Sequence, residues 1–344
     1  MKAAIIRQFG GFTEFQYEEV TTPEVKEGHV LIKILASGVN RLEHYIREGS
    51  VLDELKWPHI LGSDAAGEVA AVGKGVNGFE TGQRVIPMPG YPLADSDKTV
   101  APMMIAPSYA IGGIMQWGTY AEYISVPAEY VLHDETGLSP EEIATLPMVL
   151  ITAVHAVKVR GQVTKNSHVL IHAGSAGTGS MNIQVAKALG AKVATTVDDE
   201  TKMGFVKALG ADLVIDVNNS DFVAKIKEWT NGAGADVVID NLGGDVLERS
   251  LEAVKPRGVV VAMGFVAGVR VSFHVRNFFF SQKEIRGTLM GTKEDLIWGL
   301  EMVKQGLIKP QLDRVLHLSE AGKAHRILAS NIIKGNIVLN PWKK

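Results

Sequence analysis

Six side chains able to do chemistry fall between Asn40 and Arg47: an amide at Asn40, guanidinium groups at Arg41 and Arg47, a carboxylate at Glu43, an imidazole at His44 and a phenol at Tyr45. They follow the apolar run "VLIKILASGV", and such a cluster suits a metal site, an acid–base centre or the polar start of a helix. The chain has no cysteine, so neither a thiolate nucleophile nor a thiolate metal ligand is available to it.

A second chemistry-bearing stretch is "HVLIHAGSAGTGSMNIQVAKALG", where a glycine turn stands between an apolar strand and a helical pattern. Gly174, Gly177 and Gly179, with Ser175, Ala176 and Thr178 between them, let the backbone approach a pyrophosphate. That anion would then sit on the helix N-terminus, where free N–H groups and the dipole favour it. The spacing departs from strict G-x-G-x-x-G, and a ligand-free strand–helix turn is the alternative. Asp198 and Asp199 follow about twenty residues later, where a carboxylate meets an adenosine ribose in dinucleotide-binding sheets. They favour NAD(H), whereas Lys202 suits a 2′-phosphate, so NAD(P)H is expected without a choice between the two forms. The same pair also fits a helix cap and first-turn charge.

These residues need elements to position them. From His168 to Met290, short β-branched runs alternate with helical stretches that end on glycine: "HVLIHAG", "KVATTV", "DLVIDV", "DVVIDNLG", "GVVVAMGF" and "EIRGTLM". Near-continuous apolar runs of this kind belong to strands buried on both faces. The expected fold class is α/β, with a doubly wound parallel sheet of the Rossmann type over 151–290. Thr152, Asn241, Gly264 and Phe265 fall at helix starts or strand ends, the edge of such a sheet where ligands bind; Phe265 would equally suit a core. Residues 1–150 carry short, Gly- and Pro-punctuated strands typical of an antiparallel β unit. The final segment 291–344 ends in "NIVLN", a strand that needs that unit's sheet. The Pro-rich stretch 87–113 is long for a loop, and loops of that length are usually functional or interfacial.

Bulk composition excludes several classes. A chain of 344 residues, 46% hydrophobic and 21% charged, fits about two globular domains. A net charge of −3 lacks the basic footprint of nucleic-acid binding. No apolar run reaches membrane-spanning length, and the N-terminus lacks a secretory core, so a cytoplasmic protein is expected.

The motifs "LGSDAAGEVAAVGKGVNGFETGQRV", "GTYAEYISVP" and "HVLIHAGSAGTGSMNIQVAKALGAKV", in this order, resemble the medium-chain dehydrogenase/reductase superfamily over nearly the whole chain. Within it, "GVNRLEHYIREG" and "LGSDAAG" are most similar to the zinc-independent quinone oxidoreductases of the zeta-crystallin type. The resemblance implies a GroES-like β-rich catalytic domain (1–150 and 291–344) beside the Rossmann domain. It also implies a small carbonyl or quinone substrate and a homodimer or homotetramer. The positions that hold catalytic zinc in the zinc enzymes fall on Asn40, Ser63 and Met148, with a family Glu at Asp64 and the proton-relaying hydroxyl at Leu42. An amide, a hydroxyl and a thioether make a poor set for Zn²⁺, so no zinc is expected. The stretch 87–113 keeps the length of the zinc enzymes' structural lobe without its cysteines.

Without a metal, hydride addition is easiest to a conjugated acceptor, whose charge spreads into an enolate that hydrogen-bond donors can stabilise. Tyr45 and Asn40 are the expected catalytic residues, Tyr45 as donor or proton source. Arg41 and Arg47 would add positive potential. A metal-free alcohol dehydrogenase-like reductase and a non-enzymatic nucleotide-binding or structural protein are the competing expectations.

Overall fold

A computed structural model describes residues 1–343. The chain forms two compact units, Met1–Met148 with Pro310–Lys344, and Val149–Lys309.

The first unit is built on strand His29–Val39, whose residues alternate between buried and half-buried before its end becomes wholly buried. It pairs antiparallel with Asp64–Val72, Tyr123–Pro127 and the C-terminal strand Asn336–Asn340. The expected last strand therefore joins the N-terminal β unit, with Leu312–His317 added parallel beside it. Register does the positioning: Gly38 lies opposite Asp64, which brings the start of helix Arg41–Glu48 against the turn at Ser63. A side chain at Gly38 would run into the Asp64 Cβ at 2.9 Å, so this approach requires glycine. Glu43 Oε2 accepts the Asn40 N–H at 2.5 Å to cap the helix, and Gly49 ends it at φ 76°. The stretch 87–113 is ordered locally by the hairpin Gly90–Pro92/Tyr109–Ile111 and by Tyr91 stacked on Tyr130 at 4.6 Å.

The second unit holds six parallel strands in the order Leu213–Asp216, Lys192–Val197, His168–Ile171, Ala235–Asp240, Val254–Ala262, Glu284–Gly287. This is the strand order of a dinucleotide-binding sheet, with its reversal beside His168–Ile171. Leu170, Ala194, Val238 and Val260 meet Phe222, Ile226 and Leu251 in one apolar cluster. The unit also includes helix Lys293–Lys304, so its boundary falls later than residue 290. The reason is a long-range tie that periodicity does not reveal: His155 Nδ1 meets Asp295 Oδ2 at 2.8 Å, and Gly299 packs on Leu150.

Two of the turn glycines are packing residues. A Cβ at Gly174 would meet Ile183 Cδ1 at 2.9 Å, and one at Gly179 would lie 2.8 Å from the Ala173 carbonyl carbon. Helix Gly177–Ala188 can therefore sit close to its strand only without these side chains. Gly179→Ala should lower stability by about 1–3 kcal/mol through overpacking, less what alanine gains in helix propensity. A thermal midpoint equal to the parent's would contradict this packing.

Candidate active site

In the first unit, Asn40, Glu43, Ser63 and Asp64 form one buried polar network. Asn40 Nδ2 donates to Asp64 Oδ2 at 2.8 Å and to Ser63 Oγ at 3.2 Å. The Ser63 hydroxyl donates to Glu43 Oε1 at 2.6 Å, and its backbone N–H reaches the same oxygen at 3.1 Å. Asp64 Oδ1 accepts the Met148 N–H at 2.6 Å. Thr119 closes the other side, its hydroxyl donating to the Asp64 carbonyl at 2.8 Å beside Ser37 Oγ at 2.6 Å.

Two carboxyls thus lie in a space with little water. Burial pushes Glu43 up to about 8, reinforced by the nearby Asp64 charge and opposed by the Ser63 and Asn40 hydrogen bonds. Burial likewise raises Asp64 to about 7, against the donors from Asn40 and Met148. At neutral pH the network therefore holds at least one proton.

Tyr45 is half-buried on helix Arg41–Glu48, tilted against His44 at 5.7 Å. Asn40 is not a free donor: its amide is committed to Asp64 and Ser63. The arginines also make structural contacts. Arg41 binds the Leu328 carbonyl at 3.2 Å and Asn331 Oδ1 at 2.6 Å. Arg47 is wholly buried, bonded to the Gly10 carbonyl and to His44 Nδ1 at 2.9 Å, with its guanidinium 4.6 Å from the Phe12 ring. Both are held by protein contacts, Arg47 in the interior and Arg41 half-buried at the start of its helix. Glu43 is the residue that sequence reasoning underused; its place three residues after Asn40 is the capping-box spacing, the one signal available.

In the second unit the cofactor candidates follow the carboxyl ends of the parallel strands, except Thr152, which lies on helix Pro147–Val154. Ala176 is exposed, Gly177 and Thr178 are half-buried, and Ser175 is buried at the start of helix Gly177–Ala188. Asp198 Oδ1 pairs with Lys202 Nζ at 2.7 Å, whereas Asp199 caps the next turn by accepting the Thr201 N–H at 2.7 Å. Asn241 Oδ1 is buried without a protein partner. A Cβ at Gly264 would strike the Asn241 backbone. Phe265 is exposed, not core. Thr152 Oγ1 lies 3.7 Å from Met290 Sδ. An orphaned buried acceptor beside a glycine cradle at this edge fits a dinucleotide.

Known families match both units: "Alcohol dehydrogenase GroES-like domain" over residues 26–135 and "Zinc-binding dehydrogenase" over 177–305. A 2-haloacrylate reductase from a Burkholderia species is 30% identical, over 98% of this chain and 98% of its own length. A quinone oxidoreductase of Pseudomonas aeruginosa is 27% identical, with 97% of each chain covered. A solved NAD-dependent alcohol dehydrogenase matches at a TM-score of 0.93 and 31% identity over 99% of both chains. The chain belongs to the medium-chain dehydrogenase/reductase superfamily. Within that superfamily of oxidoreductases it is quinone-oxidoreductase-like.

The second family's description names zinc, and the donor set here does not fit that ion. Ser63 Oγ and the Asn40 amide are engaged with carboxylates, and Met148 contributes its backbone N–H to Asp64. Among the described residues, no three His, Asp or Glu side chains are grouped to hold a metal. Neither is any described helix long and apolar enough to cross a membrane.

The raised carboxyls have a consequence for stability. Unfolded, both carboxyls titrate near their ordinary values of 4.5 and 3.8; folded, they keep protons to about 8 and about 7. Their contribution is intact at pH values below the unfolded range and declines as pH rises, by up to about 1.4 kcal/mol per pH unit for each proton held. Glu43→Gln should flatten the fall in thermal midpoint between pH 5.5 and 7.5. Parallel pH profiles for variant and parent would contradict the buried-proton assignment.

Proposed function

We propose that this chain is an NAD(P)H-dependent, zinc-independent reductase of quinones or other α,β-unsaturated carbonyl compounds. One observation carries the reading: the positions that would ligate zinc in related enzymes are instead engaged with a buried carboxyl pair. An isolated carbonyl needs strong stabilisation of a localised alkoxide, commonly from a metal. A conjugated acceptor delocalises that charge, so a few positioned donors suffice. Two relatives' names support the choice, since a quinone and a 2-haloacrylate both carry a C=C bond conjugated to a carbonyl or carboxyl group.

When bound, NAD(P)H supplies the hydride. The chain's residues then divide the remaining work. The turn Gly174–Gly179 and Asn241 hold the dinucleotide, with Thr152, Gly264 and Phe265 at the same site. Asp198 lies at the ribose and Lys202 beside it, which leaves both NADH and NADPH as cofactors to test. Tyr45 Oη donates a hydrogen bond to the acceptor oxygen and is the proton source. Asn40 acts by positioning, because its amide fixes the start of Tyr45's helix against Asp64. The protonated carboxyl pair keeps this anchor neutral enough to remain buried.

The retained stretch 87–113 and the alcohol dehydrogenase match support a second reading, a metal-free reductase of a saturated carbonyl. Oxidation of NADH and NADPH with 1,4-benzoquinone, an enone, a 2-haloacrylate and a saturated aldehyde separates the two. Turnover is expected with the conjugated acceptors, and Tyr45→Phe should lower kcat by about 10²-fold, the scale of a lost general acid. Turnover confined to the aldehyde would favour the second reading. Nucleotide binding with no turnover on any acceptor would point to a non-enzymatic protein.

A further inference from the structure

Four buried side chains of the second unit lie outside the roles above: Thr196, His172, Ser250 and Asp240. Asp240 ends strand Ala235–Asp240; its Oδ1 accepts the N–H groups of Leu242 at 3.0 Å and Gly243 at 2.8 Å. Its Oδ2 accepts the Ser250 hydroxyl at 2.8 Å. With that proton committed, Ser250 Oγ can meet His172 Nε2, 3.0 Å away, only as an acceptor. Nε2 therefore carries hydrogen, and Nδ1 presents a lone pair to the Thr196 hydroxyl at 3.2 Å. Thr196 Oγ1 in turn accepts the Ala173 N–H at 3.0 Å. Burial keeps the imidazole neutral, its pKa lowered to about 4, with Asp240 opposing that shift and Arg249 adding to it.

A serine, a histidine and an aspartate in contact invite comparison with a hydrolytic triad, and the donor order excludes it. Here the hydroxyl donates to the carboxylate rather than to the imidazole, so no base activates it. What the chain joins is more informative. At one end is Ala173, held at φ 48°, a left-handed conformation uncommon for alanine and the first residue of the turn before helix Gly177–Ala188. At the other end are Gly243 and Gly244, at φ 71° and 53°, which open helix Gly244–Ala253. The two turns follow neighbouring parallel strands, at the edge where open sheets take ligands, and the orphaned Asn241 Oδ1 lies in the second turn.

We propose that the one-way hydrogen-bond chain Ala173 N–H to Thr196 to His172 to Ser250 to Asp240 locks the two strand-end turns into a single unit, making His172 a positioning residue for the dinucleotide. The inference rests on the reading of this edge as the cofactor site. Each interior link both donates and accepts, so removing one side chain loses two bonds and severs the connection between the two turns.

Dissociation constants of NADH and NADPH for the full chain, taken by fluorescence titration with a thermal melt of each sample, test it. The parent should bind at least one nucleotide. Thr196→Val and Ser250→Ala should each weaken binding by about tenfold, the scale of a lost buried hydrogen bond, and the double variant by little more than either. His172→Gln, which keeps one donor and one acceptor, should bind within about threefold of the parent, whereas His172→Leu should match the double variant. Losses that multiply, a glutamine variant as weak as the leucine one, or unchanged affinity with only a lowered melt would each overturn the proposal. A parent that binds neither nucleotide would overturn the cofactor reading and this proposal with it. Nitrogen-15 NMR of the His172 ring is independent of ligand: an Nε2–H tautomer is expected, and an Nδ1–H tautomer would reverse the chain and defeat the idea.

Discussion

The hydrogen bonds from the Asn40 amide to Asp64 and Ser63 are the constraint on which the first unit's site depends. Two carboxyls buried this close together repel if both ionise, and burial alone is costly for each. The amide, the Ser63 hydroxyl and three backbone N–H groups supply the donors that make the arrangement tolerable. Once they are in place, the Asn40 Nδ2 and the Ser63 hydroxyl hydrogen are committed to carboxyl oxygens. The chemistry proposed for the protein follows from this occupancy: the acceptor must stabilise its own developing charge.

The two units manage polar groups in a common way. In the first, Glu43 and Asp64 tie a helix start to the turn at Ser63, and Gly38 lets the strands come close enough. In the second, Asp240 and His172 tie two strand-end turns through side chains that are almost fully buried. The second network also holds Ala173 at positive φ, a conformation that local propensity alone would not choose. Buried polar networks with their members satisfied rigidify the backbone around them.

Much of the second unit was legible in the sequence because parallel strands buried on both faces read as apolar runs, and glycines marked the helix ends. The terminal strand was legible because "NIVLN" is an apolar run that needs a sheet to join, whereas its parallel neighbour Leu312–His317 was not read as a strand. The later domain boundary was not, since it depends on the pairing of His155 with Asp295, residues far apart in sequence. Arg47 shows the same limit. It was expected to add positive potential at the site, but Phe12 and the Gly10 carbonyl enclose it, contacts set by tertiary packing. Glu43 was visible as a carboxylate of the opening cluster without a particular role; its burial against Ser63 comes from strand register, which local pattern does not fix.

The carboxyl–amide network is proposed to stand where related enzymes use a metal. Equilibrium dialysis of the full chain against Zn²⁺, with bound metal counted by mass spectrometry and enone reduction assayed on the same sample, tests it most directly. Far less than one zinc per chain is expected, with a rate that does not change on loading or chelation. Stoichiometric zinc, with turnover that disappears when it is removed, would contradict it.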